Sequence, residues 1–135
     1  MLNMTSPVMM NTVWLLDDFS SANGGTRILP GSHKSGMGGP AKGSEVKYYV
    51  QPEAKAGSVL IFNGQCWHAG GANSSQANRH GLFAHYRKRM LLFQCDPHDQ
   101  FPNEWHAQLT DRQKEILRMK HGVGVPRGSD AQVFK

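Results

Sequence analysis

Residues 8–16 form a nearly continuous apolar run that ends at Asp17 and Asp18. The run is too short for a typical helix, and its β-branched and aromatic side chains favour a pleated surface, so we predict a buried strand. This strand begins close to the first residue of the sequence. We therefore expect the chain to start inside a sheet rather than to lead up to one.

Further short strands are predicted downstream, each bounded by glycine, proline, asparagine or serine. They are Thr26–Leu29, an exposed segment Glu45–Val50, the regular segment Gly57–Phe62, and a strand that begins at Arg79 and runs to Met90. Short strands at regular spacing with such turns are typical of a sandwich or barrel. The predicted fold is mostly β, a partial double-stranded β-helix (a cupin-like jelly roll) with a C-terminal helix.

Two segments differ from this strand pattern. Thr110–Gln113 has the sequence of a capping box, which predicts a helix over about 111–121 that ends near Gly122. Its expected buried contacts are Ile116, Leu117 and Met119. Lys34–Ser44 is rich in glycine, lysine, serine and proline and is predicted to be a surface loop. Such a loop is equally consistent with a lid over a pocket and with a plain connection.

Composition narrows the class of protein. A chain of 135 residues is long enough for a single core, so we predict one domain over residues 1–135. The net charge of +5 is scattered apart from Arg87-Lys88-Arg89, which favours small anionic ligands over nucleic acid. Cys66 and Cys95 lack metal-type spacing, and the chain has neither a basic leader nor a long apolar span. We expect a cytoplasmic protein with free thiols, with no membrane partner and an unassigned oligomeric state.

His68 and Arg79 are the candidates for chemistry. They lie eleven residues apart, across a small-residue segment between Gly57–Phe62 and Arg79–Tyr86, which we interpret as the two strands of a hairpin. A neutral imidazole binds a divalent metal, and a planar guanidinium binds a carboxylate through two parallel hydrogen bonds. Strand alternation places Arg79, Gly81, Phe83 and His85 on one face. Trp67 and Phe83 are the predicted pocket walls.

Each candidate also has a purely structural explanation. A histidine beside a tryptophan is more often a core or rim residue than a metal ligand. Arg79 at the start of a strand can pair with Asp17 or Asp18. His33, after Pro30-Gly31-Ser32, is predicted to be a turn residue that caps neighbouring backbone groups.

Several ordered motifs resemble those of the phytanoyl-CoA dioxygenase family. They are Asn23-Gly24-Gly25-Thr26, Pro30-Gly31-Ser32-His33, the segment Ala56 to Gly64, Trp67-His68, Asn73 and Arg79, and the resemblance covers about residues 8–95. It implies a dioxygenase that uses Fe(II), 2-oxoglutarate and O2 to hydroxylate a small organic substrate. By this resemblance His68 is a metal ligand, Arg79 holds the distal carboxylate of 2-oxoglutarate, and Asn11 and Thr26 contact the cosubstrate.

One family motif does not occur in this sequence. In the family a His-x-Asp pair of metal ligands precedes the strand equivalent to residues 8–16, whereas the first histidine here is His33. A three-ligand site gains its affinity from holding all three groups together, so we expect weak iron binding. The predicted chain is an N-terminally incomplete domain of the family. The alternative is a non-catalytic carboxylate-binding module that retains Arg79.

Overall fold

The computed structural model describes residues 7–36, 38–88, 90–91 and 100–119. The chain divides into two compact units, Met1–Lys88 and Arg89–Lys135. In the described residues, the first unit contains the strands and the second contains two short helices. None of the helices in these residues has the length and apolar character needed to cross a membrane.

The described part of the first unit contains two antiparallel sheets. One has three strands, in which β1 (Met9–Leu15) lies between β3 (Val59–Asn63) and β5 (Gly81–Arg87). The other pairs β2 (Thr26–Ile28) with β4 (His68–Gly70). A short 3-10 helix, Ser32–Lys34, follows β2. This arrangement confirms the predicted mostly-β fold.

Strand β1 is the centre of the packing, as its apolar run predicts. Asn11, Val13 and Leu15 alternate towards one face and are only 3%, 0% and 4% exposed. Val13 lies opposite Leu60 of β3 and Phe83 of β5. The core of the unit consists of Val13, Leu15, Phe19, Ile28, Phe62 and Cys66.

The predicted hairpin between residues 57–62 and 79–86 is wrong. Strands β3 and β5 both pair with β1 and not with each other. The reason is that the intervening chain forms β4, which leaves this sheet to pair with β2. Strand β1 then fills the position between β3 and β5, where its buried face contacts both.

The predicted strand Glu45–Val50 is also wrong. Only Val50 makes a bridge, through two hydrogen bonds with the backbone of Ile28 at 2.8 and 2.7 Å. Tyr48 has a φ of 64°, which is a left-handed conformation that interrupts an extended strand, and its side chain is exposed. The polar-apolar alternation here therefore lacks the buried face that would stabilise a strand.

The second unit contains α1 (Asn103–Gln108) and α2 (Asp111–Ile116). The capping box is confirmed, because the Thr110 side chain accepts from the Gln113 backbone N–H and the Gln113 side chain accepts from the Thr110 backbone N–H. Arg118 has a φ of 58°, so the helix ends before it. Ile116 is exposed rather than buried, and the other two predicted contacts, Leu117 and Met119, are only partly buried. Helix α1 was not predicted, and residues 120–122 and Cys95 lie outside the described residues.

Asp17 and Asp18 fasten the end of β1 to neighbouring segments. Asp18 accepts from Lys55 Nζ at 2.7 Å and from the Ala56 backbone N–H at 2.9 Å, and these hydrogen bonds lower the pKa of its carboxyl. Asp17 accepts from the ring and the backbone N–H of His80, which lowers its pKa likewise. A carboxyl with a lowered pKa stabilises the fold above its unfolded-state pKa and loses that contribution as the pH falls through the folded-state value.

We therefore expect the thermal unfolding midpoint to fall on acidification through and below the ordinary aspartate pKa of 3.8. Asp18→Asn should make this pH dependence shallower, because its side chain no longer loses a charge in acid. Melts followed by circular dichroism across this pH range would measure it. Glu104→Gln, at an exposed position in α1, is the control for simple charge removal. An unchanged pH dependence in Asp18→Asn would contradict the assignment.

Candidate active site

Arg79 lies two residues before β5 and is held by contacts on two sides. Its guanidinium carbon is 4.5 Å from the centre of the Phe19 ring, and its Nη2 donates to the Gly24 carbonyl oxygen at 2.9 Å. Its Nε is buried and has no hydrogen-bond partner among the residues that the structure describes. A buried N–H without an acceptor is costly, so this atom is suited to receive an oxygen atom from a ligand. The guanidinium is therefore oriented and still has a free donor for a carboxylate.

The structural explanation for Arg79, a pair with Asp17 or Asp18, is wrong. Asp17 accepts from the His80 ring at 2.6 Å, and Asp18 accepts from Lys55. Both carboxylates are therefore occupied by other cations or donors. The charge of Arg79 has no carboxylate partner within the described part of the chain.

His68 begins β4, opposite Ile28 of β2. Its Nδ1 lies 2.7 Å from the carbonyl oxygen of Cys66, an acceptor, so Nδ1 carries the proton in this contact. In a neutral imidazole the lone pair then lies on Nε2. The ring also makes an edge-to-face contact with Phe62 at 5.0 Å. This arrangement fixes the tautomer and presents Nε2 as a possible ligand atom, in the manner of metal-binding histidines.

The described residues offer a hydrogen-bond donor for a carboxylate but no complete ligand set for iron. The free donor of Arg79 fits the carboxylate of 2-oxoglutarate. For iron, residues 7–36, 38–88, 90–91 and 100–119 contain no group of three histidine, cysteine, aspartate or glutamate side chains placed to hold a metal. His68 by itself does not fit the three-ligand set that such an iron requires.

Strand β2 links the candidate clamp to the candidate metal ligand. Arg79 contacts the Gly24 carbonyl just before this strand, and His68 lies opposite Ile28 at its end. At about 3.3 Å per residue, the stretch from Gly24 to Ile28 spans at most roughly 13 Å. Thr26 lies between them, opposite Gly70, and is buried.

Asn11 and His85 form a polar pair on the face of the larger sheet that carries Val13. The two residues lie opposite each other in β1 and β5, and Asn11 Oδ1 is 2.9 Å from His85 Nδ1. Phe62, which contacts the His68 ring, lies opposite Asn11 on the other side. Phe62 is therefore both the register partner of Asn11 and a ring neighbour of His68.

Of the two predicted pocket walls, Trp67 lines a cavity and Phe83 does not line it. A cavity of about 500 Å³ adjoins His68, and Trp67 lines it. By the register of β1 and β5, His85 shares a face with Gly81 and Phe83 as the alternation predicts, but this face is not buried at His85, which is exposed, or at Phe83, which lies opposite Val13. The Phe83 side chain is half exposed and is not part of the lining of this cavity.

Sequence reasoning missed several contacts that position the candidate residues. They include the Phe19 ring under Arg79 and two backbone carbonyls, those of Gly24 and Cys66. Backbone carbonyls have no residue-type signal, so only the fold reveals them. The predicted capping role of His33 belongs to its neighbour Ser32, whose hydroxyl accepts from the Trp67 backbone N–H and donates to the Leu29 carbonyl. His33 instead contacts the sulfur of Cys66 at 3.2 Å.

Comparison with known proteins identifies related sequences. The family model described as phytanoyl-CoA dioxygenase (PhyH) matches residues 3–81. Dioxygenase af480 of Aspergillus fumigatus is 28% identical over 120 residues, and dioxygenase andF of Emericella variicolor is 32% identical over 110 residues. These matches cover 88% and 80% of this chain but only 39% and 37% of the relatives. Phytanoyl-CoA dioxygenase 1 of Oryza sativa is 30% identical over 60% of this chain and 34% of its own length.

Proposed function

Because the chain belongs to the phytanoyl-CoA dioxygenase (PhyH) family, we propose that its first unit carries the cosubstrate-binding part of an Fe(II)- and 2-oxoglutarate-dependent dioxygenase. The reaction class is hydroxylation of a small organic substrate. The observation that carries the proposal is Arg79, whose guanidinium is oriented by Phe19 and Gly24 and keeps an unpaired buried Nε–H. Arg79 binds the distal carboxylate of 2-oxoglutarate.

The other residues have supporting roles in this proposal. His68 would contribute Nε2 if two further ligands completed the metal site, and the Cys66 carbonyl holds the imidazole in the tautomer that this requires. Thr26 and Asn11 contact the cosubstrate from β2 and β1. Iron and O2, if a completed three-ligand site bound them, would supply the oxidative chemistry for hydroxylation. The chain's own residues orient the cosubstrate and shield it from water.

A second function, a carboxylate-binding module without metal, uses the same clamp. Two observations favour it. Arg79 is oriented by its hydrogen bond to Gly24, whereas His68 has no second and third metal ligand among the described residues. In that case 2-oxoglutarate or a similar acid binds in the absence of iron. His68 then has no part in affinity.

Calorimetry with 2-oxoglutarate in the presence of a chelator tests the clamp. We expect binding by the native sequence and a loss of at least about tenfold in Arg79→Met, because hydrogen bonds to a charged group contribute about 1.5–3 kcal/mol each. Arg112→Met, an exposed change in α2, is the control for lost positive charge. His68→Ala should retain the affinity seen with chelator. Equal affinity in Arg79→Met and the native protein would exclude Arg79 as the clamp.

Adding metal separates the two functions. If the dioxygenase proposal holds, Fe(II) under anaerobic conditions should increase the affinity for 2-oxoglutarate, and His68→Ala should abolish the increase. If metal has no effect in either protein, the metal-free module is supported instead. Succinate release with Fe(II) and O2 is the corresponding readout of turnover.

A further inference from the structure

The cavity beside His68 is a second candidate binding site. Its volume of about 500 Å³ lies in the range of small-molecule pockets, roughly 300–1,000 Å³. Its lining includes Arg27, Leu29, Tyr49 and Trp67, together with Pro40 and residues 44–46. Most of this lining is apolar or aromatic, as in pockets for organic ligands.

This cavity lies on the sheet face opposite to that of the core. Thr26 and Ile28 are buried in the core, so Arg27 between them points to the other side of β2. Ala69 lies opposite Arg27 and also lines the cavity. Arg79 is not part of this lining and contacts the core residue Phe19. The Arg79 clamp is therefore not part of this cavity, whereas His68 is one of the residues that line it.

Two residues that line the cavity each carry a buried hydrogen-bond donor without an acceptor among the described residues. Arg27 Nε and Trp67 Nε1 are both buried and have no partner among the described residues. The Arg27 guanidinium carbon is 4.8 Å from the centre of the Tyr49 ring, which holds the cation against an aromatic face. Buried unpaired donors are rare in native proteins, and both of these belong to residues that line the cavity.

The charge of the cavity favours an anionic ligand. Glu45 also lines it, but its side chain is 79% exposed, so its charge is largely screened by solvent. Arg27 forms no ion pair with any carboxylate in the described ranges. Arg27 is therefore the cation available to a ligand in this cavity.

We propose that this cavity binds an organic acid with an apolar or aromatic body, its carboxylate on Arg27 and Trp67 and its body against Leu29 and Tyr49. The proposal goes beyond binding of 2-oxoglutarate at Arg79. If the proposed function holds, this acid is the substrate, and the end of the molecule away from its carboxylate points towards His68. Binding itself does not require it.

The first test compares an acid with its neutral analogue on the full chain. Naphthalene-2-acetate and naphthalene-2-ethanol share a body that fits the cavity, and calorimetry measures both in the presence of chelator. We expect the acid to bind at least about tenfold more tightly, since hydrogen bonds to a charged group are the stronger ones. Saturating 2-oxoglutarate should not displace it. Equal affinities of acid and alcohol would overturn the proposal.

Variants then locate the site. Arg27→Met keeps an apolar stem and should remove the preference for the acid while leaving the alcohol unaffected. Trp67→Phe keeps the aromatic wall without the N–H and should weaken the acid severalfold. Arg112→Met is again the charge control. A preference for the acid that persists in Arg27→Met would place the anion elsewhere and refute the proposal.

Reciprocal measurements separate this site from the Arg79 clamp. Arg79→Met should lose 2-oxoglutarate and keep naphthalene-2-acetate, and Arg27→Met should do the opposite. If Arg27→Met loses 2-oxoglutarate while Arg79→Met keeps it, the clamp assignment fails and the anion site at Arg27 stands. Circular dichroism melts verify folding of each variant. Should Arg27→Met not fold, the comparison of acid and alcohol on the native chain and on Trp67→Phe decides.

Discussion

Phe19→Ala is expected to lower the free energy of unfolding by about 3–5 kcal/mol, the usual cost of truncating a buried phenylalanine. Phe19 is 3% exposed, and its backbone exchanges two hydrogen bonds with Ala54. Its ring packs so closely on β5 that a β-carbon at Gly81 would lie 3.0 Å from Phe19 Cζ. The same ring supports the Arg79 guanidinium. Affinity for 2-oxoglutarate should therefore fall together with stability.

Chemical denaturation measures the first effect and calorimetry the second. Phe19→Leu is the matched variant, because it keeps an apolar side chain and removes the aromatic face under Arg79. We expect it to cost about 1 kcal/mol in stability and to weaken the clamp. Phe83→Ala, at a half-exposed position in the same unit, is the control for loss of a phenylalanine. A Phe19→Ala protein as stable as Phe83→Ala would contradict the packing role.

Gly24→Ala is expected to destabilise the first unit by more than about 3 kcal/mol, a size of effect that requires a specific mechanism such as backbone strain. Gly24 has a φ of 79°, and a β-carbon there would lie 2.6 Å from the Gly71 carbonyl oxygen and 3.0 Å from the Asn73 nitrogen. Both contacts are with backbone, so a side-chain rotation cannot relieve them. Any shift of this segment also moves the carbonyl that accepts from Arg79.

Gly31→Ala provides the matched control. Gly31 has nearly the same φ, 81°, but a β-carbon there would meet no atom of another segment within 4 Å. Its cost should be about 1–2 kcal/mol, the penalty of the left-handed conformation by itself. Denaturation of both variants measures the difference, which isolates the steric term at Gly24. Equal costs for the two substitutions would show that the close approach of Gly24 to Gly71 does not matter for stability.

Local patterns in the sequence determined the individual strands and the helix cap, because these depend on residues that are close together along the chain. The apolar run at 8–16 becomes β1, and the segment 57–62 becomes most of β3, because a buried extended strand needs only a short run of suitable side chains. Alternation correctly placed Phe83 and His85 on one face of β5, opposite Val13 and Asn11. The capping box at Thr110 formed because its two hydrogen bonds join residues three positions apart. The same local reasoning failed at Glu45–Val50, where alternation has no buried face to use.

Only the tertiary structure decided which strands pair and what surrounds each candidate residue. Strand β1 separates β3 from β5, and His68 lies in the other sheet, opposite Ile28. These pairings join residues such as Asn11 and His85, which are 74 positions apart and share no local pattern. The Phe19 ring and the Gly24 carbonyl that orient Arg79 are equally remote from it in sequence. Residue types therefore indicated His68 and Arg79 as candidates, whereas the free donors and the cavity at Arg27 follow from long-range packing.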